Sequence, residues 1–112
     1  MGKAVASMLL YFRNRLNGAP RFSQGELSLI LGVYGKRVQR GEWRDYAIDS
    51  LPDMAVFSIF KSARENPIYA IAKIPPRTFL KPPEFVVYEA GKTIKQSASL
   101  REVLEVFEDK NG

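Results

Sequence analysis

Between Trp43 and Gln96 the apolar side chains largely recur at every second position, in runs whose connections are too short for crossover helices, so the strands they make must pair antiparallel. Arg44, Tyr46 and Ile48 alternate with Trp43, Asp45, Ala47 and Asp49 until Leu51-Pro52-Asp53 ends the run. Met54 to Phe60 is apolar on both faces apart from Ser58, the pattern of a strand covered on both sides. Asn66-Pro67 breaks it, and Ile68 to Ile74 forms a third run. Phe85 to Glu89 and Lys92 to Gln96 flank Ala90-Gly91, which suits a tight two-residue hairpin. The segment Pro75 to Pro83 holds four of the seven prolines and cannot pair as a central strand. It is expected to be a stiff, polyproline-like loop.

Helical periodicity lies on either side of this block. Ser23 and Glu26 have the spacing of a capping box, with Phe22 and Leu27 at the staple positions. Leu27, Ile30, Leu31, Tyr34 and Val38 make the stripe expected to be buried. Lys36, Arg37 and Arg40 crowd the last turn, and Gly41 suits the left-handed residue that ends a helix. Gly32 and Gly35 weaken the helix interior by about 1 kcal/mol each, and close packing against a sheet would account for them. Near the C-terminus Ser99 and Glu102 repeat the capping-box spacing, and Leu100, Val103, Leu104 and Phe107 make a second stripe, with Glu102, Glu105 and Glu108 outward. At the other end Val5, Met8, Leu9, Phe12 and Leu16 fall at helical spacing, although Met8 to Phe12 equally suits a short strand.

The economical solution is an α+β fold, a four- to five-stranded antiparallel meander packed by an N-terminal-half helix and a C-terminal helix. Residues 21–109 are expected to form it as one domain, with residues 1–20 as a preceding segment. A chain of 112 residues buries about two-thirds of its extended surface, enough for a core without disulfides or metals.

Composition matters most for chemistry. With neither cysteine nor histidine, the chain has no disulfide, no thiolate or imidazole metal site, and no histidine-assisted nucleophile or acid/base pair. Asp45 and Asp49 share a strand face about 13 Å apart, too wide for a glycosidase pair. Asp49 and Asp53 flank a turn, where they can cap it or hold a hard cation. No phosphate-loop pattern occurs and no lysine stands out as a nucleophile. A non-enzymatic protein without a cofactor is expected. The apolar stretch Ala4 to Phe12 is too short to span a bilayer, and the expected compartment is the reducing cytoplasm.

The net charge of +5 is located rather than spread: residues 1–44 carry +6, residues 45–98 carry +1 and residues 99–112 carry −2. A basic face near the end of the first strong helix follows, drawn from Lys36, Arg37, Arg40, Trp43 and Arg44, with Tyr11, Arg13, Arg15 and Arg21 as further members and Lys61, Arg64, Lys73 and Lys95 as extensions. Arginines bind phosphates and an exposed aromatic stacks a base, so nucleic acid or another polyanion is the favoured partner. The bland alternative is a solvated helix end beside a core tryptophan, with strand lysines serving as edge protection. Arg77, Phe79 and Lys81 in the proline-rich loop form a second candidate, for a protein partner or a homodimer, unless the loop only connects strands.

The nonapeptide Gly41-Glu42-Trp43-Arg44-Asp45-Tyr46-Ala47-Ile48-Asp49 carries a resemblance, together with Glu26-Leu27, Ile30-Leu31, Tyr34-Gly35 and Ala55 to Phe60. With these residues, over about 22–108, the chain resembles a family of short alphaproteobacterial proteins known only as a domain of unknown function. Asn66-Pro67-Ile68-Tyr69 resembles that family's Pro-Leu-Tyr segment, and the match is weakest from Pro75 to Pro83. The resemblance implies a bacterial, cytoplasmic, freestanding domain and brings no catalytic residue or cofactor. Within the nonapeptide, Gly41 is expected to end the helix and Trp43 and Tyr46 to point to opposite sheet faces, with Arg44 or Asp45 fixing the turn.

Overall fold

The alternation of period two becomes five strands in a computed structural model, which describes residues 20–62, 66–76, 78 and 80–108. Helix α1 (Gln24–Gln39) is followed by β1 (Asp45–Ser50), β2 (Ala55–Phe60), β3 (Tyr69–Ile74), β4 (Glu84–Glu89), β5 (Lys92–Ser97) and α2 (Leu100–Leu104), which tightens into a 3-10 turn over Glu105–Phe107. The strands lie in the order β1-β2-β3-β4-β5, every neighbouring pair antiparallel. The fold is therefore the expected α+β meander with five strands. Ala90 and Gly91 both take positive φ, 49° and 84°, as a two-residue hairpin of matching twist requires.

Strand register sorts the side chains onto two faces. Tyr46 and Ile48 of β1, Ala55, Phe57 and Ile59 of β2, Tyr69 and Ile71 of β3, and Phe85 and Val87 of β4 share one face. Both helices pack there: Phe22, Ile30, Leu100, Val103, Leu104 and Phe107 join Trp43 and the strand residues in one core. The other face is not covered by either helix.

Helix α1 starts as its sequence dictates. Ser23 Oγ accepts from Glu26 N–H at 3.1 Å, and Glu26 Oε1 accepts from Ser23 N–H at 2.6 Å, closing the capping box. The helix rotates differently from its apolar stripe, however. Leu31 and Val38 are each 39% exposed, whereas Ile30 is buried and Leu27, Leu29, Val33 and Tyr34 pack on the core. The inward line runs Glu26, Ile30, Val33, Arg37, and its two ends are charged. Lys73 Nζ meets Glu26 Oε1 at 2.8 Å, and Arg37 meets Glu42 at 2.7 Å. A count of apolar spacing cannot score such a line, so the expected stripe was centred one side of it. A Cβ at Gly32 or Gly35 would meet nothing within 4 Å, so neither glycine is a close-packing site.

Two local readings also change. Trp43 and Tyr46 lie on the same side, both against Tyr34, because Trp43 precedes the first paired residue and the strand period does not apply to it. At Ser99 only half of the capping box forms. Ser99 Oγ accepts from Glu102 N–H at 3.3 Å, while the Glu102 carboxylate accepts from Ser97 Oγ–H at 2.7 Å and Ser99 N–H donates to Ser97 Oγ.

Candidate functional site

The C-terminal end of α1 and the entry to β1 hold most of the candidate residues, and their backbone is tightly fixed. Gly41, at φ 76°, occupies the left-handed position. Glu42 N–H donates to the Arg37 carbonyl at 3.0 Å and Gly41 N–H donates to that of Val38 at 2.9 Å, the paired bonds of a Schellman ending. Arg37 closes the same loop with its side chain. Its guanidinium donates to Glu42 Oε2, donates to the Phe107 carbonyl, and lies over the Trp43 ring with its carbon 5.5 Å from the ring centre. One side chain thus ties together the end of α1, the loop, the core tryptophan and the last turn of the chain.

Trp43 is 3% exposed and belongs to the core. Phe107 meets it edge-on at 5.2 Å, with Tyr69 at 5.9 Å and Tyr34 at 6.0 Å. Its ring face is thus not presented to a stacking base. Burial raises the Tyr69 hydroxyl above its ordinary value of 10.0, helped by a hydrogen bond to Glu89, and burial likewise raises Tyr34.

Around this end of α1 and the start of the β1–β2 ladder, Lys36, Arg40, Arg44 and Lys61 are exposed. Arg44 N–H donates to the Phe60 carbonyl at 2.9 Å, one position before the Asp45–Phe60 register pair. That places Arg44 beside Lys61 across the β1–β2 ladder. Both line an open depression of about 570 Å³ whose floor includes Val38, Gly41 and Trp43. Asp45 Oδ1 meanwhile accepts from Tyr46 N–H at 2.8 Å, fixing the strand entry.

Other expected members do not join this surface. The Arg21 carbonyl accepts from Lys73 Nζ at 3.0 Å. Lys73 pairs with Ala55 at the far end of β2, about 20 Å of strand from Lys61. Lys73 itself lies on the helix side of a central strand, half-buried against Glu26, so it locks α1 to the sheet rather than guarding an edge. Lys95 is half-buried on edge strand β5. Tyr11, Arg13, Arg15 and Arg64 lie outside the described residues, as do Arg77 and Phe79 of the partner-loop candidate. Lys81 is exposed and lines a groove of about 410 Å³ with Ile74, Pro75, Pro76, Pro82 and Glu84. Among the described residues no three carboxylates gather as a metal site would require, and no helix is long and apolar enough to cross a membrane.

The Glu26–Lys73 pair makes the fold acid-sensitive in a defined direction. Burial by itself raises the Glu26 carboxyl, but the hydrogen bonds from Lys73 and Ser23 outweigh it and leave the group below its ordinary value of 4.5. A lowered folded value gives stability that is present above the unfolded value and is lost as pH falls through the folded one. Urea midpoints should therefore decline below about pH 4.5, and Glu26→Gln should flatten that decline. An equal decline in the variant would refute the assignment.

No curated protein and no solved structure matches the chain. A family model described as "Protein of unknown function (DUF2794)" matches residues 21–104, from the residue before Phe22 to the end of α2. Since this match spans most of the chain and all five strands, the chain belongs to the DUF2794 family of proteins of unknown function.

Proposed function

We propose that this protein is a non-enzymatic binding or regulatory module that takes a polyanion, with a nucleic-acid backbone favoured, at the end of α1 and the β1–β2 ladder. The observation that carries the reading is the placement of Arg44 and Lys61 as exposed neighbours on the rim of one depression, with exposed Lys36 and Arg40 on the adjoining helix end. Two cations about one strand spacing apart suit successive phosphate oxygens, and a buried Trp43 makes the contact one of charge rather than base stacking. Binding of this kind is sequence-tolerant and strongly salt-dependent. The alphaproteobacterial cytoplasm implied by the resemblance supplies nucleic acid as an abundant polyanion.

Retention on mixed-sequence DNA and RNA at about 50 mM salt should be clear and should fall steeply by about 200 mM. Arg44→Glu with Lys61→Glu should weaken it at least about tenfold and reduce the log–log salt slope by about 2, with the urea midpoint unchanged. No retention at the lower salt would overturn the reading.

A second reading, a self-associating or protein-binding module, is favoured by edge strand β1. Tyr46, Ile48 and Leu51 are exposed there beside an unpaired strand edge. Sedimentation at high concentration separates the two readings, since a monomer counts against self-association through β1.

A further inference from the structure

The edge strand β1 turns a defined set of backbone groups outward. Leu51 N–H donates to the Met54 carbonyl at 2.8 Å, continuing the register in which Ser50 pairs with Ala55. Hydrogen-bonded and non-hydrogen-bonded positions alternate along an antiparallel pair. Asp45, Ala47 and Asp49 therefore turn their N–H and C=O groups toward β2, while Tyr46, Ile48 and Ser50 turn theirs away from it. Among the described residues no strand lies on that side. The Tyr46 N–H is met there by the Asp45 carboxylate of its own strand.

The side chains around this edge are apolar. Tyr34 packs edge-on against Tyr46 at 5.0 Å, which sets that side of α1 over β1. Leu31 and Val38, three residues before Tyr34 and four after it, share that side of the helix. Leu31, Val38, Tyr46, Ile48 and Leu51 are five of the eight large apolar side chains exposed among the described residues, so exposure of this kind gathers at one edge. The opposite edge strand, β5, carries Lys92 and Lys95 and a register shift between Val87 and Tyr88, which are ordinary protections against pairing. Strand β1 has no lysine and an unbroken register with β2.

We propose, resting on the self-association reading above, that β1 pairs antiparallel with β1 of a second copy about a two-fold axis at Ile48, joining the two sheets into one of ten strands. An axis normal to the sheet keeps the helices of both copies on one side, so facing residues must share a face and the axis falls where a residue meets its own copy. Charge and donors select that residue. Centring on Ala47 sets Asp45 opposite Asp49 twice, and centring on Asp49 sets that carboxylate against its copy, both unfavourable. Centring on Tyr46 needs the Arg44 N–H, which is already given to the Phe60 carbonyl. Centring on Ser50 needs an N–H from Pro52, which has none. Only Ile48 uses every outward residue: Tyr46 faces Ser50 of the second copy, Ile48 faces Ile48, and Ser50 faces Tyr46. Asp49 then stands opposite Ala47 and Asp45 opposite Leu51, so no carboxylates face directly. The Tyr46 N–H exchanges the Asp45 carboxylate for a backbone carbonyl as the strands pair.

The absence of cysteine permits a direct test in the full chain. Ile48→Cys puts the two thiols at a hydrogen-bonded pair about 5.5 Å apart at Cα, within the range of a disulfide. Ser50→Cys separates them by four residues of strand, about 13 Å, which a disulfide does not bridge. At a concentration where the parent chain sediments as a dimer, oxidation should link Ile48→Cys at least about tenfold faster than Ser50→Cys. Ile48→Lys, which sets two like charges opposite on the axis, should raise the dissociation constant of the dimer at least about tenfold with Trp43 emission unchanged. If that variant disturbs the core, the thiol comparison decides alone. A dimer that links equally at both positions, or faster at Ser50→Cys, would overturn this register while leaving self-association standing. A monomer at high concentration would overturn both.

Discussion

Trp43→Ala should lower the unfolding free energy by about 3–5 kcal/mol, read as a drop in urea midpoint by far-UV circular dichroism. The indole is 3% exposed and fills the space between Phe107, Tyr69 and Tyr34, so truncation leaves a cavity lined by rings that are themselves anchored on β3, α1 and the final turn. Such a loss is a large share of the stability of an ordinary domain. Nucleic-acid retention by the fraction that remains folded should be little changed. A loss of retention with an intact urea midpoint would instead mean that the indole contacts the ligand. Trp43→Phe, which can keep the edge contact with Phe107, should recover more than half of the lost stability.

Arg37→Ala is the second large expectation, about 2–4 kcal/mol by the same measurement. The charge-assisted bond to the Phe107 carbonyl contributes about 1.5–3 kcal/mol and the placement over Trp43 about 0.5–2 kcal/mol. The ion pair with Glu42 adds less than about 1 kcal/mol, because the carboxylate side is 41% exposed and solvent screens it. Arg37→Lys should recover little, since one ammonium cannot serve Glu42 and the Phe107 carbonyl in the guanidinium's fork geometry. Lys36→Ala, one residue away and exposed, should stay within about 0.5 kcal/mol of the parent. Equal effects from the two substitutions would refute the tying role given to Arg37.

These expectations rearrange the basic patch that sequence alone suggests. Lys36, Arg37, Arg40, Trp43 and Arg44 are neighbours in the chain, but their fates divide by burial. Trp43 enters the core and Arg37 braces it, while Lys36, Arg40 and Arg44 reach the surface. Lys61 joins Arg44 through strand register, a relation legible once β1 and β2 are paired. The bland alternative, a core tryptophan beside a helix end, describes Trp43 and Arg37 well. The phosphate-binding reading retains the cations around them.

The sequence by itself determined the meander. Period-two apolar runs, Pro and Gly at the connections, a serine three residues before a glutamate, and a glycine after a basic helix end are local patterns, and backbone geometry converts each into local structure directly. A meander of four to five strands and the two ends of α1 follow from them, and the structure has five. Tertiary structure alone decided the rotation of α1 and the roles of its charged residues, because those depend on groups far away in the chain. Glu26 meets Lys73 across 47 residues and Arg37 meets Phe107 across 70. A side chain's periodicity says which neighbours it shares a face with, whereas burial of a charge depends on whether a distant partner arrives to satisfy it. For that reason the line of Glu26, Ile30, Val33 and Arg37 could become the inward face of a helix whose Leu31 and Val38 are exposed.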